Sequence, residues 1–231
     1  MQLSPRLLAI ARQVPPERVV ADVGTDHALL PIYLVSTGIT PRAIAVELRR
    51  GPLDQARHNV QSFGLGDQVE LRQGDGLEAL APGEAEVVVI AGVGGDRIVE
   101  ILERQPDVRA SVLCWIFQPM SQAGGLRRWL VAHGYRLADE ELVAEGDRIY
   151  EVIRAQPGRE PPQEALVMEI GPRLWERREP LLIPLLRRRL EEVEARLAHP
   201  AQAPGAGAGG RNGLERLAAR LNEMLAELAG R

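Results

Sequence analysis

The segment RVVADVGTDH (residues 18–27) predicts the fold of this chain. Its first part is a run of apolar and β-branched residues, which is typical of a strand buried on both faces of a parallel sheet. The run ends at Gly24, and a glycine there allows a tight turn from the strand into a helix. We therefore expect residues 18–24 to form a central strand of an α/β domain, with a ligand site at its carboxyl end.

Segments typical of strands and helices alternate on both sides of this strand. The other predicted strands are residues 43–48, 69–74, 86–92 and 111–119, and the predicted helices are 4–14, 28–37, 52–64, 97–104 and 124–134. Residues 135–155 predict two further strands around a turn at Glu145, Gly146 and Asp147. This order indicates a doubly wound, mostly parallel, seven-stranded α/β sheet with an antiparallel edge.

The sequence pattern changes after residue 155. The segment QPGREPPQ (156–163) is rich in proline, and leucines at helical spacing then continue to Leu197 and resume from Leu214 to Leu228. The stretch between these stripes, 200–213, consists mostly of glycine, alanine and proline, which is typical of a flexible linker. We predict an α/β domain at 1–155 and, at 156–231, a helical arm formed by an antiparallel hairpin.

Composition narrows the class of protein. The 231 residues are 45% hydrophobic and 26% charged, as in a globular protein, and the net charge of -4 excludes a uniformly basic nucleic-acid coat protein. One cysteine, Cys114, permits no intramolecular disulfide. No apolar run approaches the roughly 20 residues needed to span a bilayer, and no signal peptide is evident. We expect a cytoplasmic protein without a membrane partner.

Acidic residues lie at or just after the carboxyl ends of the first three predicted strands. Asp22 and Asp26 flank Gly24, and Asp26 occupies the place of the second glycine in a dinucleotide-binding fingerprint. These carboxylates would repel a pyrophosphate, whereas a cationic cofactor such as S-adenosylmethionine would be attracted. Glu47 is placed to accept hydrogen bonds from ribose hydroxyls. Asp75 is placed to accept a hydrogen bond from an adenine amino group. The pattern predicts a nucleoside-binding site.

The fourth predicted strand ends in a glycine-rich turn, AGVGG (91–95), which leaves room beside the sheet for a substrate base. No spacing of histidines and cysteines resembles a metal site, so no metal is expected. All 28 basic residues are arginine, which excludes chemistry that depends on lysine.

Several blocks together resemble the bacterial TrmK family of tRNA (adenine-N1)-methyltransferases, which act on the adenosine at tRNA position 22. The blocks are ADVGTDHALLPIYL (21–34), AVELRRGPLDQA (45–56), RQGDGLEAL (72–80), AGVGGDRIVEIL (91–102), QPM (118–120) and GDRIYEV (146–152). The resemblance covers about residues 4–155 and continues into EIGPRLWERREP (169–180). Val93 stands where the family usually has methionine, and Met120 where asparagine is common.

The resemblance implies a class I methyltransferase that uses S-adenosylmethionine and modifies tRNA. The residues it places around the cofactor are Asp22, Gly24, Thr25, Asp26, His27, Glu47, Leu48, Asp75, Gly76, Ala91, Gly92, Val93 and Gly94. Adenine N1 is mostly unprotonated at neutral pH, so it can accept a methyl group without a general base. Methylation leaves a positive charge on the base, and Asp26 is the candidate catalytic residue that stabilises it.

The arm has two interpretations. Arg187, Arg188 and Arg189 could bind tRNA phosphates, or they could belong to a solvated, salt-bridged helix surface. Two other functions remain open: a methyltransferase with a different acceptor, and a non-catalytic nucleoside-binding module whose helical arm recruits a partner. The sequence leaves the oligomeric state open, with a monomer favoured.

Overall fold

The computed structural model describes residues 1–198 and 208–230. Its seven strands are β1 (Val20–Val23), β2 (Ala43–Glu47), β3 (Val69–Gln73), β4 (Val87–Val93), β5 (Cys114–Pro119), β6 (Tyr135–Glu145) and β7 (Arg148–Pro157). They form one sheet in the order β3-β2-β1-β4-β5-β7-β6, in which the first five are parallel and β7 runs antiparallel to both neighbours. The predicted sheet is confirmed.

Ten helices lie in the described part of the chain. They are α1 (Pro5–Gln13), α2 (Leu29–Ser36), α3 (Arg50–Ser62), α4 (Gly95–Arg104), α5 (Pro106–Ser111), α6 (Ala123–Ala132), α7 (Ala165–Ile170), α8 (Pro172–Glu176), α9 (Leu182–Ala198) and α10 (Ala208–Ala229). A short 3-10 helix covers Gly76–Ala79. Among these residues, no helix is both long and apolar enough to cross a membrane.

The centre of the sheet fixes the position of the site. Every residue of β1 and β2 is buried, which explains why these strands are near-continuous apolar runs in the sequence. β1 pairs with β2 on one side and with β4 on the other, so the strand order reverses at β1. Open α/β sheets bind ligands beside such a reversal, at the carboxyl ends of the strands.

Two local predictions are wrong. Residue 111 was expected to begin a strand, but it ends α5, because Pro106 occupies the first turn and favours a helix start there. Residues 208–213 were expected to be linker, but they belong to α10, because a helix that has nucleated gains a hydrogen bond with each added residue. The rest of the predicted linker, 200–207, lies outside the described residues.

The chain forms two compact units, Met1–Trp175 and Glu176–Arg231. Residues 156–175, which the sequence assigned to the arm, are in the first unit. The buried carboxylate of Glu160 accepts a hydrogen bond from the backbone N–H of Leu137 at 2.8 Å and pairs with Arg173. In the second unit, α9 packs against α10, which confirms the predicted pair of helices.

A buried arginine joins four elements of the first unit. Arg127 on α6 donates from Nε to Glu140 on β6 at 2.5 Å and from Nη2 to Glu151 on β7 at 2.7 Å. Its Nη1 donates to the backbone oxygen of Glu169 on α7 at 3.0 Å. This network attaches α7 to the sheet, and it explains how residues beyond β7 come to fold with the α/β unit.

Candidate functional site

A cavity of about 470 Å³ opens at the carboxyl ends of β1, β2 and β4, within the usual size range of small-molecule sites. Nearly all of the residues that the sequence predicted for the cofactor line this cavity. They are Asp22, Gly24, Thr25, Asp26, His27, Glu47, Leu48, Asp75, Gly76, Ala91, Gly92 and Val93. Predicted residues from four separate segments of the sequence therefore meet at one place.

Gly94 is the exception, because it is absent from the cavity lining. A Cβ atom at this position would lie 3.1 Å from Ser121 Oγ, and at the neighbouring Gly95 it would lie 2.5 Å from the backbone oxygen of Gln122. These two glycines allow the turn after β4 to pack closely against the turn after β5. Their role in the structure is therefore close packing between two loops.

Asp22 places a buried negative charge at the end of β1. Thr25 Oγ1 donates to Asp22 Oδ2 at 2.6 Å. Burial raises the pKa of Asp22 to about 6, the hydrogen bond from Thr25 opposes this increase, and the charge of Glu47 adds to it. A carboxylate destabilised in this way gains from a cation bound beside it.

The loop after β1 is held in an uncommon backbone conformation. Asp26 and Ala28 have φ values of 53° and 57°, in the left-handed region that non-glycine residues rarely adopt. The backbone N–H groups of Gly24 and Thr25 donate to the oxygen of Val46 at 2.9 and 3.0 Å. Asn59 Nδ2 donates to the oxygen of His27 at 2.9 Å. The loop is thus fastened to β2 and α3.

This loop conformation brings two polar side chains to the rim of the cavity. The side chains of Asp26 and His27 are 59% and 46% exposed, and His27 Nε2 lies 3.6 Å from Asp26 Oδ2. Both are accessible to a substrate that approaches from solvent. Asp26 therefore lies at the solvent-exposed rim of the cavity.

Glu47 has both a structural and a ligand-facing position. Its buried carboxylate accepts from the backbone N–H of Asp26 at 3.3 Å and from that of Arg49 at 2.8 Å. The two bonds use different oxygens, and each carboxylate oxygen has two lone pairs. Glu47 can therefore support the β1 loop and still accept hydrogen bonds from a ligand in the cavity.

Asp75 has partners that sequence reasoning missed. Arg97 Nη2 donates to its Oδ1 at 3.0 Å, and Arg104 Nη1 donates to its Oδ2 at 2.8 Å. Both arginines come from α4, which follows a different strand. The carboxylate keeps lone pairs for an adenine amino group. Gly76 beside it has a φ of 62°, so a glycine suits this turn.

Sequence reasoning also missed Arg6 and Leu7 on α1, which line the cavity from the N-terminal segment. The signal that could have indicated them is the arginine in the first turn of a helix that directly precedes the ligand-binding strand. Arg97 and Ile101 on α4 are two further lining residues that the sequence did not indicate.

The residues present fit a zwitterionic nucleoside. Burial of Asp22 without a cationic partner in its hydrogen-bond set favours a positively charged ligand group, and Glu47 offers carboxylate oxygens to ribose hydroxyls. Within the described ranges, no group of three or more histidine, cysteine, aspartate or glutamate residues could hold a metal ion. The fold and this arrangement of carboxylate acceptors define a class I, S-adenosylmethionine-dependent methyltransferase.

Comparison with known proteins identifies the family. The methyltransferase-domain family matches residues 3–153. The tRNA (adenine(22)-N(1))-methyltransferase of Bacillus subtilis is 40% identical over 158 residues, which span 68% of this chain and 66% of that enzyme, just under two thirds of its length. This chain belongs to the TrmK family of methyltransferases, as its sequence blocks indicated.

Two solved structures agree with this assignment. The crystal structure of the B. subtilis m1A22 tRNA methyltransferase TrmK has a TM-score of 0.85 and 33% identity, with 98% of each chain covered. A Streptococcus pneumoniae protein solved in complex with S-adenosyl-L-methionine has a TM-score of 0.88 and 31% identity, covering 97% of this chain and all of that one (100%).

Proposed function

We propose that this protein transfers the methyl group of S-adenosylmethionine to N1 of adenosine 22 in tRNA. The observation that carries the proposal is the cavity at the reversal of strand order, where Asp22, Glu47 and Asp75 converge. The family relationship supports the acceptor, because the relative from B. subtilis is a tRNA (adenine(22)-N(1))-methyltransferase. A tRNA substrate places the reaction in the cytoplasm.

Three carboxylates account for cofactor binding in this proposal. Ionised Asp22 stabilises the positive charge of the cofactor's amino-acid tail, Glu47 accepts from the ribose hydroxyls, and Asp75 accepts from the adenine amino group. S-adenosylmethionine, when bound, supplies an electrophilic methyl group on a sulfonium. The fastened β1 loop keeps the first two carboxylates in place before the ligand arrives, which lowers the ordering cost of binding.

In this proposal, Asp26 acts on the adenine that accepts the methyl group. The N1 lone pair of adenine is available at neutral pH, so the protein needs to position the base rather than remove a proton. The turn through Ala91, Gly92 and Val93 borders the cavity and leaves space for a planar ring. Asp26 at the rim stabilises the positive charge that develops on the ring as N1 is methylated.

The arm has a separate role in the proposal. Residues 1–155 carry the cofactor site, and the helices within 156–231 bind the tRNA backbone. Arg187 and Arg188 on α9 are exposed, and Arg188 Nε lies 3.4 Å from Glu192 Oε1, an exposed pair that contributes little stability. Arg189 is partly buried. The exposed guanidinium groups are available to phosphates, which supports tRNA binding over a purely structural role.

Transfer to two matched tRNA transcripts tests the acceptor. The purified protein is incubated with methyl-labelled S-adenosylmethionine and a tRNA that carries either adenosine or guanosine at position 22. We expect incorporation only into the adenosine transcript. Equal incorporation into both would indicate a different acceptor, and cofactor binding without any transfer would indicate a non-catalytic nucleoside-binding module with a partner-binding arm.

A further inference from the structure

Arginines at the two ends of the sheet differ in how closely carboxylates pair with them. Arg42 lies at the amino end, directly before β2, and its Nη2 is 3.2 Å from Glu70 Oε2. Arg50 lies at the carboxyl end, at the start of α3, and its Nε is 3.8 Å from Asp54 Oδ2. Arg57 Nη1 is closer to the same carboxyl group, at 2.7 Å from Asp54 Oδ1. The Arg50 side chain is therefore left 86% exposed with only a distant partner.

A second exposed arginine lies at the carboxyl end of the sheet, beyond β5. Because β7 is antiparallel to β5 and pairs Ile153 with Phe117, the earlier residues of β7 extend past Pro119, where β5 ends. Arg148, the first residue of β7, lies in this extension. It is exposed, and it forms no ion pair with a carboxylate in residues 1–198 or 208–230.

The hairpin of β6 and β7 that carries Arg148 is fixed beside the cavity. Glu145, which pairs with Arg148 across the hairpin, accepts at Oε2 from the backbone N–H of Arg6 at 2.9 Å. The Arg6 guanidinium carbon also lies 5.6 Å from the centre of the Tyr150 ring. Arg6 lines the cavity, so these contacts hold the hairpin at its border. They also direct the nearest carboxylate of the hairpin toward α1.

Arg50 and Arg148 stand on opposite sides of the cavity mouth. In the sheet, β1, β4 and β5 lie between β2, which precedes Arg50, and β7, which begins at Arg148. Four strand spacings of about 4.8 Å place the two sites roughly 19 Å apart along the sheet. The cavity opens between them, at the ends of the central strands. This arrangement suits a nucleic-acid strand that continues on both sides of one nucleotide inserted into the cavity.

We propose that Arg50 and Arg148 bind tRNA phosphates on either side of the nucleotide that enters the cavity. The inference rests on the proposed function, because it requires tRNA as the substrate. The net charge of the chain is -4, so its overall charge does not attract a polyanion and local cations must make the contacts. A planar guanidinium binds a phosphate through two parallel hydrogen bonds. Both arginines belong to the unit that carries the cavity, separately from those of the arm.

The salt dependence of tRNA binding tests this inference. The dissociation constant for a tRNA transcript with adenosine at position 22 is measured by fluorescence anisotropy from roughly 50 to 200 mM salt. Arg50→Gln and Arg148→Gln should each bind more weakly at low salt and reduce the log–log slope by nearly one unit. Across this range, the dissociation constant of each variant should therefore rise roughly threefold less than that of the wild type. The double variant should lose nearly two units of slope.

Matched variants at the other end of the sheet are the controls. Arg42→Gln and Arg159→Gln remove exposed arginines at the amino end, before β2 and after β7, with the same change in net charge. Both should keep the wild-type slope. Arg50→Lys and Arg148→Lys should restore most of it, because lysine also binds phosphate. None of these four positions lines the cavity, so calorimetry with S-adenosylhomocysteine should give wild-type affinity, and thermal unfolding monitors the fold.

The inference fails if Arg50→Gln and Arg148→Gln keep the wild-type slope while the wild-type protein binds and methylates the transcript. It also fails if only one of the two variants loses slope, because the strand then does not cross the mouth of the cavity. Equal losses in Arg42→Gln and Arg159→Gln would overturn it too, because net charge alone would account for the effect. If the wild-type protein neither binds nor methylates the transcript, the proposed function itself fails.

Discussion

Acidification should weaken cofactor binding because it protonates Asp22. Burial raises the pKa of this carboxyl from 3.8 to about 6 in the ligand-free chain. With that pKa, roughly a tenth of the Asp22 carboxyls are ionised at pH 5 and nearly all at pH 7.5. If the cationic tail binds only beside the ionised form, the association constant follows the ionised fraction. The dissociation constant should therefore be about tenfold higher at pH 5 than at pH 7.5.

Calorimetric titration with S-adenosylmethionine from pH 5 to pH 7.5 measures this change. Asp22→Asn should bind more weakly at pH 7.5 and show little pH dependence. The stability of the ligand-free protein provides an independent check. Because the native state holds this proton more tightly than the unfolded chain, the stabilisation from protonated Asp22 is present below pH 3.8 and is lost as the pH rises through about 6. The stability of Asp22→Asn relative to wild type should rise over that interval.

A wild-type dissociation constant that is the same at pH 5 and pH 7.5 would refute this reasoning. It would mean that the cofactor does not need the ionised carboxylate. A tenfold change that persists in Asp22→Asn would also refute it, because the titrating group would then be another one.

Three other predictions concern binding and turnover. Glu47→Gln should raise the dissociation constant for S-adenosylmethionine, measured by calorimetry, roughly 10- to 150-fold, the range for hydrogen bonds to a charged group. The control is Glu70→Gln, a substitution on the neighbouring strand and outside the cavity. Equal affinities of the two variants for the cofactor would show that Glu47 does not bind the ribose. Asp26→Asn should lower the turnover number roughly 100-fold at saturating cofactor. Normal turnover together with weaker cofactor binding would show that Asp26 binds the cofactor and does not stabilise the methylated base. Replacing Arg187, Arg188 and Arg189 with glutamine should weaken tRNA binding and reduce its salt slope by nearly one unit per lost phosphate contact; an unchanged slope would show that these arginines do not contact phosphate.

The sheet was predictable from the sequence because its central strands are buried on both faces. Burial of every residue in β1 and β2 produces apolar runs that a single sequence displays directly. The carboxyl ends of parallel strands lie at the same edge, so the acidic residues that follow these runs could be placed together. This explains why nearly all of the predicted cofactor residues line one cavity.

The remaining features depend on contacts between distant segments. Asp75 bonds to two arginines of α4, and Arg6 contacts Gln118, more than a hundred residues away in sequence. Arg127 lies in a helix whose pattern indicates an ordinary exposed charge, yet it is fully buried between two glutamates. Such pairs follow from tertiary packing, which local periodicity does not encode. The short helices α5, α7 and α8 were missed because five or six residues carry too little periodicity.

Nucleoside analysis of methylated tRNA tests the central claim most directly. The wild-type protein is incubated with tRNA and S-adenosylmethionine, the fragment that contains position 22 is isolated, and its nucleosides are separated and identified by mass spectrometry. The account predicts 1-methyladenosine in that fragment, at up to one methyl group for each tRNA. Recovery of N6-methyladenosine, or of the methyl group in any other fragment, would contradict it.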